Sequence, residues 1–147
     1  MYTDTQSTYL EERILTASPL ELVQILYDAA VDHVREARRH LSGGDALARS
    51  NDVSKTLEIL SELSMALNEQ DTNEYSATYS AIYLHLQRRL LEAHTKKSDV
   101  ILAEVEKTLV SMAGNWRGVK ELIQQAGRAE ASVEPEAPQL AGRCWNL

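Results

Sequence analysis

Phenylalanine is absent from this 147-residue chain, cysteine occurs once and proline three times. Two of the prolines, Pro135 and Pro138, fall near the end, so nothing between Pro19 and that tail interrupts long helices. The single Cys144 has no partner for an internal disulfide and no evident base beside it, which leaves nucleophilic catalysis unsupported. No stretch approaches the roughly 18 apolar residues of a membrane-spanning helix, and the N-terminus lacks the basic and apolar regions of a signal peptide. A cytoplasmic location is therefore expected. Positive charge is also short: 15 Lys and Arg stand against 22 Asp and Glu, for a formal net charge of −7. Phosphate binding draws on clustered cations, so nucleic acid is not the expected partner.

Recognisable site chemistry is missing in the same way. There is neither a G-x-x-x-x-G-K-[ST] loop nor a G-x-G-x-x-G, and Gly43-Gly44 reads as a helix stop. A di-iron bundle needs Glu-x-x-His on two helices, whereas Glu36 to His40 and Glu92 to His94 have the wrong spacing. His33, His40, His85 and His94 lack a second His or Cys at ligand spacing and read as surface or satisfied side chains. No enzymatic activity, metal or cofactor is expected.

What is present is helical periodicity. The stretch from Thr16 to Ala30, T-A-S-P-L-E-L-V-Q-I-L-Y-D-A-A, offers Ser18 as N-cap, Pro19 at the first helical position and Glu21 placed to reach back to the cap. The helix it opens runs to about Leu41. Leu20, Val23, Tyr27, Ala30, Val34, Ala37 and Leu41 form one stripe, and Leu22, Ile25, Leu26 and Ala29 widen it. Apolar surface on more than one side requires more than one neighbour. Such a stripe reads first as a central bundle helix packed in a core.

A second helix, about Asp45 to Asn68, carries Val53, Leu57, Leu60, Leu63 and Leu67 on one side. In the polar stretch that follows, Asp71, Thr72 or Asn73 is placed to cap a third helix over about Glu74 to Thr95. That helix repeats Tyr75, Tyr79, Ile82, Leu86, Leu90 and Ala93, flanked by Tyr83 and Leu91. Its band of tyrosines is either a contact surface or a set of core tyrosines bonded at their hydroxyls. Ser98 caps a fourth helix in which Leu102, Val105, Leu109, Met112, Trp116, Val119 and Ile123 keep heptad spacing, with Gly114 and Gly118 expected to bend or fray it. The pattern predicts an all-α, antiparallel up-down four-helix bundle over residues 18–126. Residues 1–17 read as a flexible N-terminal arm with Tyr2, Tyr9, Leu10, Ile14 and Leu15, which either packs as an extra turn of core or lies reversibly over a groove. Residues 127–147 have no period and read as a disordered tail.

The run T-A-S-P-L-E-L-V-Q-I-L-Y-D-A at Thr16 to Ala29 resembles the signature that opens the first long helix of the flagellar secretion chaperone family, FliS. E-I-L-S-E-L-S-M-A-L at Glu58 to Leu67, I-Y-L-H-L-Q-R-R-L-L-E-A at Ile82 to Ala93 and Trp116 follow in the family's order, so the resemblance covers about Tyr9 to Trp116. Three positions depart from it. Ala30 stands where members often have Gly, Thr72-Asn73 replaces a common Gly-Gly, and His94 replaces a usual Asn. The resemblance implies a non-enzymatic cytosolic chaperone that binds the C-terminal segment of flagellin, prevents premature polymerisation and delivers it to the flagellar type III export apparatus. Export-gate components and flagellar regulators are further partners it admits. The partner-binding residues expected on this reading are Tyr9, Leu10, Ile14, Leu22, Ile25, Leu26, Leu57, Leu60, Tyr79, Tyr83 and Leu86. Tyr2, Tyr9, Leu10 and Ile14 would cover part of the client groove when flagellin is absent. The alternative class is a regulatory four-helix adaptor for another amphipathic helical peptide.

Overall fold

A computed structural model describes the backbone of residues 2–68 and 74–133, with side chains described over 8–66 and 77–129. Five helices occur in the order α1 (Tyr2–Thr16), α2 (Pro19–Ser42), α3 (Ala46–Asn68), α4 (Glu74–Lys96) and α5 (Asp99–Val133), with no strand among the described residues. The expected caps at Asp71, Thr72 and Asn73, the tail from residue 134, and the side chains of Tyr2, Leu67 and Tyr75 lie outside the described residues.

The bundle starts as its cap dictates. Ser18 is extended (φ −66°, ψ 162°), as a residue before proline must be, and its hydroxyl accepts from the Glu21 N–H at 3.2 Å. Gly44 takes a left-handed turn (φ 74°) to close α2 and turn into α3. The corresponding left-handed residue after α4 is Lys97 (φ 53°), and the next N–H, of Ser98, returns to the Ala93 carbonyl at 3.0 Å. Here the chain places a Cβ in a conformation that glycine occupies without strain.

The helices α2 and α4 each pack against both α3 and α5, which closes a four-membered ring. The connections are short, so neighbours run antiparallel. Tyr27, Ala30, Val34 and Ala37 of α2 meet Val53, Leu60 and Leu63 of α3, Tyr83, Leu86, Leu90 and Ala93 of α4, and Leu102, Val105, Leu109 and Met112 of α5 in one core. Every stripe read from spacing supplies it.

Helix extends on both sides of the bundle read from spacing. The N-terminal arm is helical: residues 2–16 contain neither Gly nor Pro, and the helix stops where Pro19 forces Ser18 out of the helical region. The last helix runs unbroken through Gly114 and Gly118 to Val133, past the boundary placed at residue 126. Two glycines cost about 1 kcal/mol each, which a long helix of Ala, Glu, Gln, Arg and Lys absorbs, and the first true stop in the sequence is Pro135. No helix among the described residues is long and apolar enough to cross a membrane.

Candidate functional site: an apolar pocket at the open end of the bundle

One end of the bundle holds the C-terminal turns of α2 and α4 and the first turns of α3 and α5, and it is closed by polar pairs. Arg38 clasps Asp99 through Nε at 2.9 Å and a second N–H at 3.1 Å, and Arg89 bridges Glu92 of its own helix to Glu104 of α5. The buried Asp52 carboxylate accepts from the Nδ1–H of His40 at 2.7 Å and of His33 at 3.2 Å. Buried Arg49 donates to His94 Nδ1 across to α4 at 3.4 Å. Three of the four histidines are thus held by partners. Hydrogen bonds from Arg38 hold Asp99 below the usual carboxylate range, and those from Lys96 and then Arg89 do the same for Glu92.

The other end is open. There Val23 and Tyr27 of α2, Leu63 and Ala66 of α3, Tyr79 and Tyr83 of α4, and Met112, Asn115, Trp116 and Val119 of α5 line a pocket of about 500 Å³. Nearly all of this lining is hydrocarbon or aromatic ring. At its base the Tyr27 and Tyr83 hydroxyls bond to each other at 2.6 Å, so both aromatic bodies stay buried with their polar tips satisfied. Burial pushes both phenols up from the ordinary tyrosine value, reinforced at Tyr27 by the neighbouring Tyr83 and Tyr79. Tyr79 stacks above Tyr83, ring centroids 6.4 Å apart and tilted by 32°, and stays 38% exposed.

The two sides of this end are built differently. Between α2 and α5, Trp116 donates its indole N–H to the Leu20 carbonyl at 3.1 Å, Gln24 reaches the Ala113 carbonyl at 3.5 Å, and Arg117 pairs with Asp28 at 3.3 Å. Between α4 and α5 the corresponding stretch is a shallow groove, lined by Ala77, Ala81, Ile82 and His85 on one side and Lys107, Thr108, Ser111 and Asn115 on the other. Tyr79, Met112 and Asn115 line both the groove and the pocket, so the two are continuous.

A sequence model described as flagellar protein FliS matches residues 1–123. The chain belongs to the FliS family. It is 30% identical over 111 residues to the flagellar secretion chaperone FliS of Salmonella typhimurium, covering 75% of this chain and 82% of that protein. The match to the Bacillus subtilis flagellar secretion chaperone FliS is also 30% over 111 residues, covering 76% and 82%. The flagellar secretion chaperone FliSB of Pseudomonas aeruginosa is 24% identical over 114 residues, covering 78% and 90%. These FliS relatives are named as chaperones, a non-enzymatic role.

The partner-binding residues expected from sequence separate into three groups on the FliS bundle. Tyr79 and Tyr83 lie together in the pocket. Leu60 and Leu86 are sealed in the core, at 0% and 2% exposure, and present no surface to a partner; their stripe positions face the bundle axis. Leu26 and Leu57 are half-buried against that core and Leu22 is half-buried, while Ile25 is buried beside the α1–α2 joint, in a cleft with Arg13, Thr16, Glu21 and Gln124. On α1, Tyr9 is 63% exposed, Leu10 and Ile14 are exposed too, and none of the three is among the pocket's lining. Spacing alone missed Leu63, Ala66, Met112, Trp116 and Val119 as pocket residues. The last three belong to the α5 heptad seam, whose spacing marks them as inward-facing without showing that they fall at the open end.

Proposed function

We propose that this chain is a cytoplasmic, non-enzymatic flagellar secretion chaperone that holds the C-terminal segment of flagellin, keeps it from polymerising and hands it to the flagellar type III export apparatus. The observation that carries the reading is the open apolar pocket at one end of a bundle whose other end is bridged by polar pairs. A soluble domain with a complete core gains nothing from leaving Tyr79, Trp116 and Val119 around an empty hollow unless a partner fills it. An amphipathic client segment would lay its apolar face there and order as it binds, the ordering cost offsetting much of the burial. Membership of the FliS family supports a flagellar export substrate as that client, and we take it to be flagellin.

Tyr9, Leu10 and Ile14 belong to this function as a cover. Leu10 and Ile14 are one turn apart on α1, and the hinge at Ala17-Ser18 adjoins Leu20, whose carbonyl is bonded to Trp116 at the pocket wall. A helix of about 22 Å turning about that hinge reaches across the pocket, and the tether gives it a high effective concentration while leaving it displaceable. Titration with a peptide spanning the flagellin C-terminal segment tests the function, which fails if the peptide does not bind. Removing residues 1–14 tests the cover: affinity is expected to rise and solubility without client to fall. Unchanged affinity together with unchanged solubility rules the cover out.

A further inference from the structure

A guanidinium keeps its charge at every pH a folded protein meets, so a buried one calls for an anion. Two arginines of the closed end have theirs: Arg38 reaches Asp99 and Glu106, and Arg89 reaches Glu92 and Glu104. Arg49 of α3 does not. It is the one buried cation among the described residues, at 6% exposure, and the single bond of its side chain runs from Nε to His94 Nδ1 on α4 at 3.4 Å. The carboxylates of this end are engaged elsewhere. Asp45 caps the Ala48 N–H, Asp52 serves His33 and His40, and Glu92 holds Arg89 and Lys96.

Among the described residues Gln24 Oε1 is the one fully enclosed side-chain polar atom that lacks a partner. The two terminal nitrogens of Arg49 lack partners as well, so they are not enclosed: the stem is buried and the tip reaches solvent. We propose that this tip is an oxyanion site, at the end of the bundle opposite the pocket, where Arg49 takes the oxygens of a carboxylate or a phosphate on its two terminal nitrogens. The planar fork of a guanidinium matches both groups in a bidentate bond. His94 is the positioning residue. By accepting the Nε–H it holds the guanidinium plane and leaves Nη1 and Nη2 to the ligand, with its own ring proton on Nε2. Low exposure weakens the screening of such a pair by salt. A chain of net charge −7 repels free anions, so whatever binds is held by local geometry and not by the general field. The site draws nothing from the client reading and stands or falls without it.

The test titrates the full chain with sodium phosphate and, separately, sodium acetate, each against sodium chloride at equal ionic strength. Millimolar concentrations are used, where the general stabilisation by excluded salts is small. Thermal unfolding and the Arg49 Nε–Hε resonance are read together. A saturable rise in Tm of about 3 °C, with a saturable shift of that resonance, is expected from the anion the site accepts; a response to phosphate assigns a phosphate ligand and a response to acetate a carboxylate. Arg49→Met is expected to raise Tm in chloride, because it removes a buried charge without a counter-ion, and to abolish the response to the anion. Arg49→Lys keeps the charge without the fork and is expected to weaken the anion about ten-fold. His94→Asn retains an acceptor for Nε–H and should respond as the parent does, whereas His94→Leu should bind several-fold more weakly. If neither anion moves the Arg49 resonance saturably, or if Arg49→Met keeps the same response, the site is overturned. If His94→Leu responds as the parent does, its positioning role is overturned.

Discussion

The two ends of this bundle use the same four helices for opposite purposes. At the closed end, long charged side chains reach between helices and finish the structure: Arg38 to Asp99, Arg89 to Glu104, Arg49 to His94, and two histidines to Asp52. At the open end the core stripes continue, but their last members face a hollow. A polar pair satisfies itself at one geometry and is finished. An apolar wall has no fixed stoichiometry of contacts, so it can be left incomplete for a partner to complete. On the proposed function, the difference divides stability from client capture along the length of the bundle.

The sharpest way to break that division is to damage the closed half of the core. Leu90, fully buried there, is expected to cost about 3 kcal/mol when changed to Ala, read by urea unfolding, with peptide affinity intact under conditions where the protein is folded. Loss of affinity in a fully folded Leu90→Ala variant contradicts the division. Val119→Asp is the converse: binding should fall at least ten-fold while stability moves by about 0.5 kcal/mol or less, because Val119 is 43% exposed.

The Tyr27–Tyr83 hydroxyl pair sits at the border between the two regions. Tyr27→Phe leaves the Tyr83 hydroxyl buried without its partner and is expected to cost about 1–2 kcal/mol. A double-mutant cycle with Tyr83→Phe should return a coupling of about 1 kcal/mol, and additive effects would show that the bond contributes nothing. The pair also sets the alkaline limit. Both phenols titrate higher when folded than when unfolded, so their contribution is complete below the unfolded value of about 10 and is lost as pH rises above it. Equilibrium unfolding across pH should show the alkaline loss shrink in the double Phe variant.

At the acid side the sign reverses. Asp99 and Glu92 titrate lower when folded, so their stabilisation is complete above about pH 4 to 5 and is lost as pH falls below that range. Asp99 is largely solvent-exposed, and Asp99→Asn should flatten the acid limb by less than about 1 kcal/mol. The smallest expected change is a gain: Lys97→Gly relieves the left-handed residue between α4 and α5 and should stabilise by about 0.5–1 kcal/mol in thermal unfolding, with no change in binding.

Much of this could be read before any coordinates. Ser18-Pro19-x-Glu21 announces the start of α2, and the stripes of α2 to α5 name most core residues, because helix periodicity is a local property of the chain. The family signature at Thr16 to Ala29 is likewise local. Spacing could not separate Leu60 and Leu86, which face the bundle axis, from Tyr79, which sits at its mouth, because all three occupy apolar stripe positions and differ only in how far along the bundle they fall. Nor could it foresee that α1 is helical, since an exposed helix with a weak stripe differs little from a loose arm in sequence. By itself, then, the sequence determined the helices, their inward faces and the family. Where the stripes run out of partners follows from how the helices end against one another in three dimensions. The pocket is made by the relative ends of four helices, with Val23, Ala66, Tyr79 and Trp116 converging from four distant parts of the chain, and no local pattern encodes that convergence.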